Sequence, residues 1–257
     1  MSLQLDERRL AMLDAMGIKL FLPDADVQTH VDTPHVSPRQ AAGEPGVAAG
    51  IVSRASQAQP ARAGIELLEW DALEQTVAAC RACKLCEGRT RTVFGVGDRN
   101  ADWLLVGEAP GENEDRQGEP FVGQAGKLLD NMLKALGLDR TSKVYIANVL
   151  KCRPPNNRAP EPAEAHACAP YLDRQLDLVA PRLIVALGRS AAGRLLDTDA
   201  PVSSLRNRVH RYRGTPLVVT YHPAYLLRTP ADKAKAWEDL LFARRVLREA
   251  LAQRPSS

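Results

Sequence analysis

Alternating strand-like and helix-like runs from Asp102 onward predict an α/β fold, a mainly parallel four-stranded sheet with helices on both faces. Three observations carry this expectation. The strand-like runs, of which Trp103-Leu104-Leu105-Val106 is the first, are short, apolar and bounded by polar residues, as buried parallel strands are. The stretches between them have the length and spacing of crossover helices. The composition, 45% apolar and 25% charged over 257 residues, is that of a globular chain with enough apolar surface for a substantial core.

Taken in order, residues 1–21 hold Leu10, Leu13 and Met16 at helical spacing and predict a short N-terminal helical segment. Residues 22–63 are rich in Pro, Ala, Gly and Ser, poor in aromatics and without periodicity, which predicts a disordered linker. Residues 64–252 then form the folded domain. A helix is expected over 65–80, strands near 103–107, 143–149, 182–187 and 216–221, and helices near 122–136, 161–179, 189–196 and 231–252.

No apolar run approaches the roughly 20 residues that span a bilayer, and the start MSLQLDERRL lacks the apolar stretch of a secretory signal. The expected setting is cytoplasmic, with no membrane partner. The net charge of +3 is too mild to mark a nucleic-acid binder. Residues 1–62 carry six basic and seven acidic side chains, so the excess lies in the remainder. There Arg81, Lys84, Arg89 and Arg91 form one group, and Arg206, Arg208, Arg211 and Arg213 another. Such groups are either solvated faces or phosphate contacts.

The richest segment is GEAPGENEDRQGEPFVGQAG at 107–126, directly after the first strand. Its glycines permit tight turns and close approach to a flat ligand, and Pro110 and Pro120 stiffen it. Glu108 follows strand one, Asn148 ends strand two, and His222 follows the run Leu217-Val218-Val219-Thr220. All three belong at the carboxyl edge of the sheet, where open α/β sheets bind ligands. Each has a plainer reading: an ordinary strand-to-helix loop, a strand-end cap at Asn148, a turn histidine before Pro223.

Five cysteines in a cytoplasmic chain point to metal binding or catalysis rather than disulfides, and their spacing favours metal. Cys80 and Cys83 form a C-x2-C pair, while fifteen residues separate Cys152 from Cys168. The wide second spacing suits an iron-sulfur cluster between distant segments, with zinc as the alternative. The preferred ligands are Cys80, Cys83, Cys152 and Cys168. Spacing alone leaves open a set in which Cys86 replaces one of them.

With these motifs in view, the chain resembles the family 4, iron-sulfur type uracil-DNA glycosylases. The likeness runs over roughly residues 76–250 and rests on CRACKLCEGRT, GEAPGENEDRQGEPFVGQAGKLL, NVLKCRPPNNRAP and HPAYLLR. It implies a three-layer α/β/α domain with a structural 4Fe-4S cluster. It also implies a monomer acting on uracil-containing DNA, single- or double-stranded. By motif, Phe121 stacks on the flipped base, Asn148 reads its polar edge, the Ala109 backbone lies near the base, and His222 faces O2. Glu108 sits near the attacked sugar, and Glu114 falls at a further acidic position that the family uses. The HPAYLLR segment corresponds to a wedging loop and makes Leu226, Leu227 and Arg228 DNA-contact candidates. A related family that traps the sugar covalently has a GEQPG first motif and an inserted basic loop; this chain has GEAPG and no insert.

The implied reaction is hydrolysis of an N-glycosidic bond by a monofunctional enzyme that leaves an abasic site, since no lysine in these motifs stands out as a Schiff-base nucleophile. The alternatives are a non-catalytic DNA-binding or interaction module on the same fold and an iron-sulfur electron carrier.

Overall fold

A computed structural model describes residues 64–252. The expected N-terminal helical segment and linker, 1–21 and 22–63, lie outside the described residues. A 3₁₀ turn, Ile65–Leu67, precedes α1, Trp70–Ala78, where one helix over 65–80 is expected from sequence. Leu68 is extended (φ −72°, ψ 136°), and this break separates the two. The chain continues through α2 (Leu85–Gly88), β1 (Val96–Gly97), β2 (Trp103–Gly107), α3 (Glu112–Gln117), α4 (Gln124–Ala135) and β3 (Val144–Asn148). Next come α5 (Pro162–Val179), β4 (Leu183–Leu187), α6 (Arg189–Leu196), α7 (Val202–Leu205), β5 (His210–Tyr212) and β6 (Thr215–Thr220). Last are α8 (Pro223–Arg228) and α9 (Lys233–Ala252).

The sheet has six strands in the order β1-β3-β2-β4-β6-β5. Its four inner strands are parallel and correspond to the expected four. The two edge strands pair antiparallel and correct the expected strand count. Neither edge strand carries an apolar run: Val96–Gly97 and His210–Tyr212 are short, and neither is fully buried. β5 and β6 form a hairpin whose loop residues, Arg213 and Gly214, both have positive φ, the conformation of a twist-compatible tight turn.

Side-chain alternation divides the core into two layers. Leu105, Ile146, Val185 and Val218 face α4 and α9, meeting Leu129, Met132, Trp237 and Leu240. Leu104, Val106, Ile184, Ala186 and Val219 face the other way, against Leu172 and Leu176 of α5 and Ala191 and Leu195 of α6. The result is three layers, helices, sheet, helices, because strands buried on both faces need cover on both.

From β2 the chain steps outward to β3, then returns across β2 to β4. That reversal opens a crevice at the carboxyl ends of the strands. Register fixes what gathers there: Gly107 pairs with Asn148, and Leu187 with Thr220.

Candidate active site

A cavity of about 790 Å³ lies at this edge, and Glu108, Ala109, Glu114, Phe121, Asn148, His222 and Arg228 all line it. The three strand-end residues and the glycine-rich loop therefore do converge.

Asn148 is 2% exposed, and its Oδ1 has no hydrogen-bond partner among the described residues. An unsatisfied buried acceptor costs about 1–3 kcal/mol, so this atom is set for a donor from a ligand. Phe121 stands beside it: a Cβ added at Gly107 would meet both the Asn148 amide and the Phe121 ring. Phe121 itself has a left-handed backbone (φ 55°). Arg140 holds that conformation, donating from Nη2 to the Phe121 carbonyl at 2.8 Å while Nε bonds Asp130 at 2.8 Å.

His222 caps α8, and its Nδ1 accepts the Ala224 N–H at 3.1 Å. In the neutral ring the proton then sits on Nε2, which becomes a donor. Burial, with Arg228 nearby, pushes the His222 pKa down to about 4. The ring lies 5.4 Å from Phe121, centroid to centroid, at 31°. Gly188, after β4, has φ +89°, and a Cβ there would lie 2.8 Å from His222 Cβ, so this position suits glycine for its backbone and for its close approach.

A pH prediction follows. Imidazole protonation should erode activity only as pH falls towards 4, well below the ordinary histidine value of about 6.5. Because the folded value is depressed, the stability linked to this group is complete above about 6.5 and declines as pH falls towards 4. A pH profile of single-turnover cleavage with an acid limb at 6.5, absent from a His222 variant, would contradict this.

The two acids differ in what they touch. Glu108 Oε2 accepts from Ser190 Oγ at 2.5 Å. Glu114 braces the loop: Oε1 accepts the Val122 and Gly123 N–H groups at 2.9 and 3.0 Å, and Oε2 that of Gly111 at 3.1 Å. Those bonds set the approach of Phe121 to the cavity.

The HPAYLLR segment, expected as a loop, is the helix α8. Its turn directs Leu226 into the core at 1% exposure, while Leu227 is 44% exposed and Arg228 lines the cavity. Leu226 is thus a core residue, because helical spacing cannot put three successive side chains on one outer face. The two arginine groups are likewise partly spoken for. Arg206 bonds the buried Asp239 at 2.8 Å, Arg213 pairs with Asp177 at 3.0 Å, and Arg89 donates to Cys152 Sγ at 3.1 Å.

Sequence reasoning missed three supporting side chains. Ser190 orients Glu108. Lys151, fully buried, donates from Nζ to the carbonyls of Phe94 (3.1 Å) and Asn148 (3.0 Å) and to Gln175 Oε1 (2.6 Å). Burial pushes its pKa down to about 8. Gln175 completes that network by donating to the Phe94 carbonyl at 2.9 Å. The spacing of Lys151, three residues after Asn148 in NVLKC, was the available signal.

The cysteines gather on the α5 side of the sheet. Cys152 and Cys168 are 4% exposed, and Cys80, Cys83 and Cys86 are half-buried. Cys80, Cys83 and Cys152 lie within one another's electrostatic reach, and Cys83 and Cys152 also act on Cys168. Burial raises the thiols of Cys83 and Cys152, and pushes Cys168 up to about 11. Donors nevertheless point at these sulfurs: the Leu85 N–H at Cys83, the Lys151 N–H at Cys168 and Arg89 at Cys152. Buried thiols supplied with N–H donors fit sulfurs that become thiolates on binding metal. Among the described residues no three His, Cys, Asp or Glu side chains converge as ligands of a single metal ion would. The ligand sulfurs of a cluster stand wider apart than those of one ion.

Residues 94–241 match the family model of the uracil DNA glycosylase superfamily. A type-4 uracil-DNA glycosylase of Sulfurisphaera tokodaii is 47% identical over 167 residues, 62% of this chain and 76% of the relative. Another from Archaeoglobus fulgidus is 45% identical, covering 62% of this chain and 84% of the relative. A third, from Saccharolobus solfataricus, is 40% identical over 72% of this chain and 88% of the relative. The chain therefore belongs to the uracil-DNA glycosylase superfamily and, within it, to the type-4 enzymes.

Proposed function

We propose that this protein is a monofunctional uracil-DNA glycosylase that flips uracil out of DNA, hydrolyses its N-glycosidic bond and leaves an abasic site for base excision repair. One observation carries the reading: the buried, unpartnered Oδ1 of Asn148 beside the Phe121 ring. Uracil offers a donor at N3 and a carbonyl at position 4, the complement of a side-chain amide. Cytosine offers an acceptor at N3 and would leave Oδ1 unsatisfied, a strongly penalised mismatch. Extruding a base costs a few kcal/mol, and stacking on Phe121 returns about 1–3 kcal/mol without regard to base identity.

As the C1′–N1 bond breaks, negative charge moves onto the base and positive charge onto the sugar. The Nε2–H of neutral His222 donates to uracil O2 and stabilises the departing anion, as a preorganised oxyanion donor does. Glu108, oriented by Ser190, faces the sugar, positions water and accepts its proton as the hydroxyl joins C1′. Glu114 acts through the loop it braces. Lys151 is enclosed by three acceptors and cannot reach a sugar carbon, in keeping with a monofunctional enzyme. Leu227 and Arg228 contact the DNA strand, which is single- or double-stranded. The protein works as a monomer on DNA in the cytoplasm; among the described residues no helix is long and apolar enough to cross a membrane.

Cys80, Cys83, Cys152 and Cys168 would hold a 4Fe-4S cluster. When bound it supplies a cross-link between chain segments and no electrons to a hydrolysis. Substituting each cysteine singly by serine should lower iron content at these four positions and leave it unchanged at Cys86. Loss of iron at Cys86 with retention at Cys80 would reverse the assignment.

The decisive experiment incubates anaerobically purified protein with a labelled oligonucleotide bearing one uracil, followed by alkali. Strand breakage at uracil, seen after alkali and not before, is expected. Absence of breakage with iron-replete, DNA-binding protein would favour the non-catalytic module. The folded domain is assigned to 64–252, so deletion of residues 1–62 should leave excision unchanged in the same assay. Loss of activity would assign that segment a part in the reaction.

A further inference from the structure

The cavity is far larger than one pyrimidine ring requires; its volume, about 790 Å³, is typical of sites that enclose a drug-sized ligand. Beyond the base-reading group it is lined by Tyr221 and Tyr225, whose rings stack at 5.2 Å and 19°. This pair is held from behind. The Arg206 guanidinium lies over Tyr221 at 5.3 Å and is itself fixed by the buried Asp239. Tyr225 donates its hydroxyl to Asp232 at 2.6 Å, and Asp232 pairs with Lys235 at 2.8 Å. Neither ring therefore needs further ordering to bind.

Arg228 stands one helical turn after Tyr225 on α8 and lines the same cavity. It forms no ion pair among the described residues, whereas Arg158 and Arg206 are paired with carboxylates. Arg189, on the same wall set, bonds among the described residues only a backbone carbonyl, that of Asp199 at 3.2 Å. Aromatic surface beside uncommitted guanidinium groups is the combination that holds single-stranded nucleic acid, with bases on rings and phosphates on cations.

We infer that the Tyr221–Tyr225 pair is a second base platform, which stacks on the nucleotide adjoining the flipped uracil while Arg228 and Arg189 hold the intervening phosphates. This rests on the glycosylase reading for the identity of the strand. It adds a subsite in which the neighbouring base is gripped by stacking, without sequence readout.

The test measures binding of the full chain to short single strands carrying a 2′-fluorinated deoxyuridine that resists hydrolysis. The neighbouring nucleotide is a normal base or an abasic tetrahydrofuran residue, placed 5′ or 3′ in separate strands. For the wild type, removing the neighbouring base on one side should weaken binding about tenfold. Tyr225→Leu should bind the normal strand about tenfold more weakly and lose its sensitivity to that neighbour. Tyr225→Phe, which keeps the ring, should retain the sensitivity. Arg228→Gln should lower the dependence of binding on salt by about one phosphate contact.

Equal wild-type affinity for all strands would overturn the platform without recourse to any variant. So would a Tyr225→Leu protein as sensitive to the neighbour as the wild type. Failure of the glycosylase reading itself would be seen separately, as absence of excision from ordinary deoxyuridine by a protein that still distinguishes these strands.

Discussion

His222→Ala is expected to slow single-turnover uracil excision by at least about tenfold, with loss of a fully engaged oxyanion donor worth about 10²- to 10³-fold. Affinity for uracil-containing DNA should change far less, because the bond to O2 strengthens only as charge reaches the base. The geometry makes the expectation specific. Nδ1 is occupied by the Ala224 N–H, and burial with Arg228 nearby keeps the ring neutral down to a pKa of about 4. One donor, Nε2–H, therefore remains. Ala also removes the cap on α8, a loss worth about 1 kcal/mol, so a thermal melt must accompany the rate. Unchanged cleavage by a folded variant would remove His222 from the reaction.

Gly107→Ala is expected to produce the second large loss. The backbone at this strand end is ordinary, so alanine meets no conformational penalty; its methyl meets the site instead. The added Cβ would press on Asn148 Oδ1 and come within 2.6 and 2.8 Å of the Phe121 ring. Both base-reading side chains would have to move. Displacing the stack forfeits about 1–3 kcal/mol of base binding, or roughly 5- to 150-fold, before any loss at Asn148. Overpacking should also lower stability by about 1–3 kcal/mol. Excision kinetics with a parallel melt separate the two effects. A lowered melting temperature with unaltered uracil excision would show that Phe121 and Asn148 do not form the base slot.

Three of the inner strands were legible as mainly apolar runs, with all five residues of Trp103–Gly107, Val144–Asn148 and Leu183–Leu187 buried, and the fourth, Thr215–Thr220, by its buried Leu217-Val218-Val219. The edge strands were not. Val96–Gly97 and His210–Tyr212 owe their structure to a neighbour's backbone rather than to their own side chains. At the site, Glu108, Asn148 and His222 could be read because each directly ends or follows a strand, and parallel strands share an edge. Ser190 could not, since a serine after a strand carries no mark until Glu108 stands 2.5 Å away. Leu226 misled because a motif read as a loop folds as a helix, with one face turned to the core.

Sequence by itself determined the order of the four inner strands and of the long helices between them, the two-sided burial of the sheet and the edge at which the functional groups meet. These follow from periodicity and apolar content, which are local properties of the chain. Tertiary structure alone decided the proton position on His222, the unpartnered acceptor on Asn148, the bracing task of Glu114 and the division of arginines between internal ion pairs and the open cavity. Each of those depends on burial and on distances between residues far apart in the chain, and it is these that set the cost of a charge or an unmade hydrogen bond.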